Sequence, residues 1–341
     1  MATARVQETI GQLQAAVRDG VLANLHSVVA FQQGQALLEA YFEGEDERYG
    51  RSLGRVQFGP DVPHDLRSVS KSIVGLLFGM VAIERRLDMH ALLSSILVQR
   101  RAQFGPAAQQ LTLAHVATMT MGLQWDESIS YADPKNAERQ MAAAPDRVAY
   151  VLGLEPAEPP GQHWHYCGGA TELLAAVITD LTGCPLLEFA TRRLFQPLGL
   201  QSVEWMGDDK GPFAASGLRL IPLELARIGQ LVLQNGDWQG RPIVPGSWLR
   251  EALRPRVPIE GDMSYGYHFY AGGTVHQKQP VRFSAAFGNG GQHLYVLPEL
   301  NAVVVITAGH YNDFGTGHEL PGRVLREHIL PLLAAGAAYQ R

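Results

Sequence analysis

The chain has 341 residues, of which 46% are hydrophobic and 18% charged, and its formal net charge is −5. A chain of this length forms one large domain or two interleaved domains, and its weak acidity without a basic cluster argues against nucleic acid as a partner. With only two cysteines, Cys167 and Cys184, it is not a disulfide scaffold, and whether the two pair is left open.

The N-terminal segment has no basic region followed by an apolar core, so no signal peptide is expected. The longest apolar run, residues 73–83, is shorter than the roughly 20 residues that cross a bilayer. We therefore expect a cytoplasmic protein with no membrane partner. The sequence does not define its oligomeric state.

The chain is predicted to open with a helix and a hairpin. Apolar residues recur at helical spacing over residues 5–19. Two apolar runs, residues 27–31 and 36–42, flank a break at Gly34 and predict a β-hairpin. Residues 44–66 are rich in charge, glycine and proline and are interpreted as a surface excursion.

A buried helix is predicted over residues 68–83, where apolar side chains occur on nearly every face. A helix without a polar face belongs inside a domain. Residues 87–97 and 111–121 are predicted to be helical, and residues 121–160 to be polar and irregular.

The second half of the chain combines helices with strands. Helices are predicted over residues 169–181, 187–195, 222–233 and 319–335, and strands over residues 281–287, 293–297 and 302–307. This order predicts an α/β (α+β) fold, in which an antiparallel sheet from both chain ends is flanked by helices and a mostly helical region is inserted. We assign residues 1–66 and 206–341 to the sheet region and residues 67–205 to the insert. The two form one structural unit, with the site in the cleft between them.

Ser68 and Lys71 lie three residues apart at the start of the buried helix, so their side chains share one face. A serine beside a lysine is a candidate nucleophile with its base. Lysine acts as a base only when it is partly neutral, and burial and the positive end of the helix are both expected to lower its pKa. The alternative is a serine that only caps the helix. Ser70 and Ser72 are competing hydroxyls that face away from the lysine.

Tyr166 lies on a glycine-marked bend before a helix. It is a candidate proton shuttle to a leaving group, provided that a nearby ammonium lowers its pKa, and a packing tyrosine is the alternative. His163 and His165 lack the acidic or cysteine ligands that would accompany them in a zinc site, so no metal is expected.

Residues 287–292, Phe-Gly-Asn-Gly-Gly-Gln, lie between two predicted strands. Consecutive glycines let a backbone approach a ligand with its N–H groups, as an oxyanion hole requires. A plain hairpin turn is the alternative.

The Ser68–Lys71 pair, Tyr166 and the glycine-rich segment 287–292 follow one another in the same order as the three motifs of the serine β-lactamase and penicillin-binding-protein superfamily, which the chain therefore resembles. The nearest likeness is the branch of class C β-lactamase-related esterases and 6-aminohexanoate-dimer hydrolases. Three further segments, residues 119–123, 195–200 and 215–218, are similar to family segments, and the resemblance covers roughly residues 25–335.

The resemblance implies a β-lactamase/transpeptidase-like fold and a role for each matching residue. Ser68 would be the acylated nucleophile, Lys71 its partner, and Tyr166 the tyrosine of the second motif. The backbone N–H groups of Ser68 and Gln292 would form the oxyanion hole. In addition, Trp125 lies on a loop that faces the predicted cleft.

Trp125 is assigned, with Tyr131 on the same loop, to the substrate wall, and packing within the loop is the alternative.

Two departures from the family pattern bear on the substrate. Gly168 stands where the second motif carries an asparagine, so that amide is missing. The third motif, Asn289-Gly290-Gly291, lacks the leading cation that would bind the carboxylate of a β-lactam or peptide.

The sequence therefore predicts a serine hydrolase that cleaves a small ester or amide through an acyl-enzyme on Ser68, without a cofactor. Lys71, with Tyr166, takes the serine proton, and which of the two is the primary base is left open. One alternative is a β-lactamase or D-amino-acid peptidase, and another is a non-catalytic member that only binds a ligand.

Overall fold

The computed structural model describes residues 2–337 and combines twelve α-helices with seventeen strands among them. The helices are α1 (Ala2–Arg18), α2 (Val69–Glu84), α3 (Leu93–Ile96), α4 (Leu113–Ala117), α5 (Ala137–Ala143), α6 (Arg147–Leu152), α7 (Gly168–Thr182), α8 (Leu186–Ala190), α9 (Pro222–Leu233), α10 (Gly246–Ala252), α11 (Phe314–Val324) and α12 (Leu330–Ala337). The strands are β1 (Leu25–Gln32), β2 (Gln35–Tyr41), β3 (Glu43–Arg48), β4 (Arg51–Gln57), β5 (His64–Asp65), β6 (Glu204–Trp205), β7 (Gly207–Asp208), β8 (Gly211–Pro212), β9 (Leu218–Leu220), β10 (Asp237–Trp238), β11 (Arg241–Pro242), β12 (Val257–Pro258), β13 (Ser264–Tyr265), β14 (Tyr270–His276), β15 (Gln279–Gly288), β16 (Gln292–Leu297) and β17 (Ala302–Ala308).

The main sheet has eight strands in the order β12-β13-β14-β15-β16-β17-β1-β2, and every neighbouring pair is antiparallel. Strand β1, near the N-terminus, pairs with β17, near the C-terminus, so both chain ends build one sheet. Along β17, Val303 and Val305 pack into the core that contains α2 and α9, whereas Val304 and Ile306 pack into the core on the opposite face. The predicted fold class is confirmed.

Helix α2 is the buried helix that the sequence predicts. Residues 69–82 are all buried, and the helix packs into the same core as α7 and α9. Helix α7 ends at Gly183, whose φ of 65° is the left-handed conformation that favours glycine at a helix C-terminus.

Two segments outside the predicted helices and strands are ordered. Residues 43–57 form the β3–β4 hairpin, in which most residues are exposed, in keeping with a surface excursion, but the charged residue Asp46 is buried. Residues 121–160 include α5 and α6, whose N-cap residues Asn136 and Asp146 each accept two backbone N–H groups. Helices this short are defined by their caps, which a search for apolar periodicity does not detect.

Cys167 and Cys184 both carry free thiols. Among the helices described, none is by itself long and apolar enough to cross a membrane, and one bent pair, α7 with residues 186–195, reaches that length and composition only together. The division into a sheet region and an inserted helical region stays a prediction, and its outer limits, residues 1 and 338–341, lie outside the described residues.

Candidate active site

Ser68 and Lys71 meet at the start of α2. Ser68 directly precedes the first helical residue, and its carbonyl oxygen accepts the N–H of Lys71 at 3.0 Å. Lys71 Nζ donates to Ser68 Oγ at 3.0 Å and to the carbonyl oxygen of Ala215 at 3.1 Å. The lysine is 2% exposed and the serine 9%. The structure thus brings the predicted nucleophile and base into hydrogen-bond contact, shielded from bulk water.

The two neighbouring hydroxyls bond to the backbone instead. Ser70 Oγ donates to the carbonyl oxygen of Arg67 at 2.6 Å and accepts the N–H of Leu218 at 3.1 Å. Ser72 Oγ donates to the carbonyl oxygen of His268 at 2.5 Å. Both hydroxyls therefore hold the helix in place rather than compete as nucleophiles.

Two buried glutamates, Glu127 and Glu138, lie close to the same lysine. Lys71 Nζ is 3.8 Å from Glu127 Oε1 and 3.6 Å from Glu138 Oε2. Relative exposure is 5% for Glu127 and 8% for Glu138. Burying a net charge is costly, so two carboxylates beside one ammonium are expected to share one further proton between them.

Glu127 is held by three donors. Trp125 Nε1 donates to its Oε2 at 2.9 Å, the Tyr131 hydroxyl to its Oε1 at 2.7 Å, and the N–H of Gly168 to its Oε2 at 2.8 Å. Trp125 is buried and Tyr131 partly exposed. The structure therefore places both predicted loop aromatics against Glu127, and their part in a substrate wall stays a prediction.

Two carboxylates lie where a side chain at Gly168, the position of the missing asparagine, would begin. A Cβ at this position would lie 2.9 Å from Glu138 Oε2 and 3.2 Å from Glu127 Oε2. Both distances are shorter than ordinary van der Waals contacts, so a side chain at position 168 would displace the carboxylates. The two glutamates therefore fill the space beside Lys71 that a side chain at position 168 would need.

The two carboxylates change the protonation of the site. Burial lowers the pKa of Lys71, but Glu138 and then Glu127 outweigh it, and the net pKa is raised. The expectation that burial and the helix end would lower this pKa was wrong, because it did not include the two glutamates. Burial and Glu138 raise the pKa of Glu127 to about 8. Burial also opposes ionisation of Glu138, but Lys71 outweighs it and the pKa of Glu138 is lowered.

Tyr166 also packs against the lysine, with Lys71 Nζ 4.9 Å from its ring centroid. Burial and then Glu127 raise the pKa of Tyr166 well above its usual value, against the effect of a hydrogen bond with Ser68. The condition that a nearby ammonium lowers this pKa is therefore not met. The phenol stays protonated at neutral pH and is available as a donor.

The third motif begins where β15 ends beside Ser68. A Cβ at Gly288 would lie 3.2 Å from the Ser68 nitrogen and 2.3 Å from the carbonyl oxygen of Leu66, so only glycine allows this approach. Gln292 pairs with Gly288 across the turn, and its side-chain amide donates to the carbonyl oxygen of Ala308 at 2.7 Å. The role of the Gln292 N–H as a donor to the oxyanion stays a prediction.

The turn itself is firmly held. Asn289 is partly exposed, donates from Nδ2 to Asn312 Oδ1 at 3.1 Å and accepts the Asn312 N–H at 2.8 Å. Gly290 and Gly291 have φ values of 96° and 99°, which favour glycine. The Gly290 carbonyl accepts the N–H of His310 at 3.0 Å. The motif is thus an ordered turn that begins with a neutral amide, and the Asn289 side chain hydrogen-bonds to Asn312 in the loop that follows β17.

Aromatic residues that sequence reasoning missed surround Tyr166. The ring centroid of Trp164 is 5.9 Å from that of Tyr166, 5.7 Å from Tyr265 and 6.3 Å from Tyr270, and Phe287 is 4.8 Å from Tyr270. Within the described chain, the buried Trp164 Nε1 has no hydrogen-bond partner. An unpaired donor beside aromatic surface suits an uncharged acceptor such as a carbonyl oxygen.

Glu127 and Glu138 were missed as well. Their segment is polar and irregular in sequence, where carboxylates are ordinarily solvated. The one available signal is that Glu127 lies between Trp125 and Tyr131, two aromatics with a hydrogen-bonding group that are able to bury an acid.

The chain matches the family model described as Beta-lactamase over residues 7–320. It is 24% identical to the 6-aminohexanoate-dimer hydrolase of Paenarthrobacter ureafaciens over 276 residues, which are 74% of this chain and 67% of that protein. It is 27% identical to the lovastatin esterase of Penicillium rubens over 139 residues, 38% of this chain and 33% of that protein.

Among solved structures, the penicillin-binding protein from Bacillus halodurans is similar with a TM-score of 0.70 at 15% identity, covering 92% of this chain and 98% of that one. At this identity the likeness shows the fold alone. Because the family model extends over most of the sequence and the fold agrees with it, the chain belongs to the Beta-lactamase family.

Proposed function

We propose that this member of the family is a serine hydrolase that cleaves a small, uncharged ester or amide through an acyl-enzyme on Ser68. The observation that carries the proposal is the 3.0 Å contact between Lys71 Nζ and Ser68 Oγ, beside two buried carboxylates. A serine becomes an effective nucleophile when an adjacent group accepts its proton.

The first step needs a proton acceptor, because Lys71 rests as an ammonium. Lys71 passes one proton to the carboxylate pair and takes the proton of Ser68. The serine oxygen then forms a bond to the substrate carbonyl carbon, and the carbonyl π electrons move to its oxygen. The backbone N–H groups of Ser68 and Gln292 are the proposed donors to that oxyanion.

The second step expels the leaving group. The Tyr166 phenol gives its proton to the leaving oxygen or nitrogen as the bond from the carbonyl carbon breaks, and Lys71 returns a proton to the phenolate. Lys71, now neutral, takes a proton from the water that attacks the acyl-enzyme, and the bond from the carbonyl carbon to Ser68 Oγ breaks as Tyr166 protonates that oxygen and the acid is released. Lys71 then gives a proton to the phenolate and regains one from the carboxylate pair. Every group ends in the protonation state in which it began.

The charges around the site support an uncharged substrate. Glu127 and Glu138 counterbalance Lys71, and the third motif begins with Asn289, so neither motif offers a free cation to a carboxylate. The aromatic surface around Trp164 suits an apolar group. Two relatives are named for hydrolysis of the 6-aminohexanoate dimer and of lovastatin, in keeping with an amide or ester substrate for this chain.

A fluorophosphonate probe tests the acyl-enzyme step directly. Intact-mass measurement is expected to show one adduct per chain, formed when Ser68 Oγ bonds to phosphorus and fluoride leaves, and peptide mapping is expected to place it on Ser68. Ser68→Ala is expected to stay unlabelled, and Ser70→Ala, which removes the neighbouring hydroxyl, to be labelled. No adduct on the folded protein would support the non-catalytic alternative.

The β-lactamase alternative differs in substrate charge. The kcat/KM for p-nitrophenyl butyrate, which is neutral, is expected to exceed that for nitrocefin, which carries a carboxylate, by at least about tenfold, because one lost ion pair of roughly 1.4 kcal/mol is a factor of ten. Absorbance assays of both substrates on one preparation measure the ratio. Faster turnover of nitrocefin would overturn the preference for uncharged substrates.

A further inference from the structure

Three buried side chains converge behind the nucleophile segment, each from a different strand: His26 from β1, Asp46 from β3 and His64 from β5. Their exposures are 0%, 2% and 0%. We propose that they form a binding site for a divalent cation of the zinc class. The three lie too far apart in the sequence to form a ligand motif, so sequence reasoning predicts no metal here.

The ligand atoms are close enough to share one ion. His26 Nδ1 is 2.8 Å from His64 Nε2, and His64 Nε2 is 3.7 Å from Asp46 Oδ1. One ligand atom from each residue lies within 4.8 Å of the others. Zinc–nitrogen bonds of about 2.0–2.1 Å in tetrahedral geometry separate two nitrogens by roughly 3.3 Å, so the two rings need to part by only about half an ångström.

Neighbouring hydrogen bonds decide which ring nitrogens carry hydrogen. His64 Nδ1 lies 3.0 Å from the carbonyl oxygen of Asp65, which can only accept, so Nδ1 carries the hydrogen and Nε2 is bare. His26 Nε2 lies 3.3 Å from Asn24 Oδ1. That amide is oriented by Glu45, whose N–H donates to Oδ1 at 2.6 Å and whose carbonyl accepts Asn24 Nδ2 at 3.1 Å. His26 Nε2 is therefore the donor, and its Nδ1 is bare.

Two lone pairs thus face each other at 2.8 Å, with a carboxylate beside them. The Tyr311 hydroxyl donates to Asp46 Oδ1 at 2.9 Å, but Asp46 Oδ2 is buried without a hydrogen-bond partner anywhere in residues 2–337. Such an arrangement is repulsive until a cation enters it. Metal-binding histidines commonly donate their other N–H to a carbonyl or a similar acceptor, as both rings do here.

The donor set selects the type of ion. Two imidazole nitrogens with one carboxylate suit zinc, cobalt or nickel, whereas magnesium and calcium prefer oxygen ligands throughout. Position suggests a supporting role. Tyr311, bonded to Asp46, also packs 4.7 Å from the guanidinium of Arg67, the residue before the nucleophile. An ion here would tie β1, β3 and β5 together directly behind Ser68.

Metal titration of the 341-residue protein tests the site. After treatment with a chelator, the wild type is expected to bind one equivalent of Co²⁺ with visible d–d absorption, and Zn²⁺ is expected to displace it. Saturating Zn²⁺ is expected to raise the Tm by on the order of 5 °C. His64→Gln and Asp46→Asn are expected to lose the absorption and the Tm shift, whereas His163→Gln, at an exposed histidine, keeps both.

The competing occupant is a proton shared by the two rings. If it fills the site, the folded wild type binds less than about a tenth of an equivalent of Co²⁺ and Zn²⁺, and the proposal is overturned. Full binding by both ligand variants would overturn it as well. Should the variants fail to fold, the stoichiometry and visible spectrum of the wild type still decide, because nitrogen ligands give cobalt a spectrum unlike that of a surface-bound ion.

Discussion

Replacing Lys71 with methionine is expected to lower kcat/KM for p-nitrophenyl butyrate by about 10³-fold, within the range that general-base assistance contributes. Methionine keeps an unbranched stem of similar length, but it neither hydrogen-bonds as a donor to Ser68 Oγ nor passes a proton to the carboxylates near Lys71 Nζ. Initial rates at about pH 8, on protein whose folding has been checked by circular dichroism, measure the effect.

The same substitution removes the countercharge of Glu127 and Glu138. A buried charge left without its partner costs about 3–5 kcal/mol, so the Tm of the single variant is expected to fall. The double variant Lys71→Met with Glu138→Gln restores neutrality and is expected to regain most of the Tm but none of the activity. Lys135→Met, at an exposed lysine, is the control. If activity returned together with stability, the role of Lys71 in proton transfer would be ruled out.

The contact between Ser68 and Lys71 was predictable because its signal is local. The spacing of Ser68 and Lys71 and the apolar run of α2 both lie within one helix, where sequence separation fixes side-chain direction. The sheet from both ends was predictable for a related reason. Strands β16 and β17 are largely apolar and bounded by turn residues, and the alternating faces of β15, β16 and β17 pack into separate cores.

The two glutamates beside Lys71 were not predictable, because they reach the lysine only through tertiary structure. Glu127 and Glu138 belong to a polar segment that is ordered by capped short helices, side-chain hydrogen bonds and backbone bonds such as that from the Gln124 N–H to the carbonyl oxygen of Glu155. Their presence reversed the expected direction of the Lys71 pKa shift. The same reason applies to Asp46, which lies in a charged stretch that folds back as a hairpin and carries a carboxylate into the interior.

The kcat/KM of the wild type is expected to rise with pH, and replacing Glu127 with glutamine is expected to abolish that rise. The pKa of Glu127 is raised to about 8, so its carboxyl is protonated below that pH and ionised above it. The ionised pair takes up a proton from Lys71 more readily, so the wild-type rate follows the ionised fraction. For a pKa of 8, that fraction grows about 30-fold between pH 6.5 and 9. Glutamine does not titrate and mimics the protonated carboxyl, so the variant is expected to stay at or below the wild-type rate of pH 6.5 throughout and to be at least about 30-fold slower than the wild type at pH 9.

Two further variants decide whether Glu127 is the group that titrates. The Tyr131 hydroxyl donates to Glu127 Oε1 at 2.7 Å and lowers the pKa of that carboxyl. Tyr131→Phe therefore raises the pKa, and the rise in rate is expected to move to higher pH. Glu172 is another buried carboxyl, with a pKa raised to about 7, that accepts the N–H of Ala214 at 2.8 Å. Glu172→Gln is expected to leave the rise where it is. A profile that follows Glu172, or that persists without Glu127, would contradict the assignment of the rise to Glu127, because the rate would then report the titration of another group.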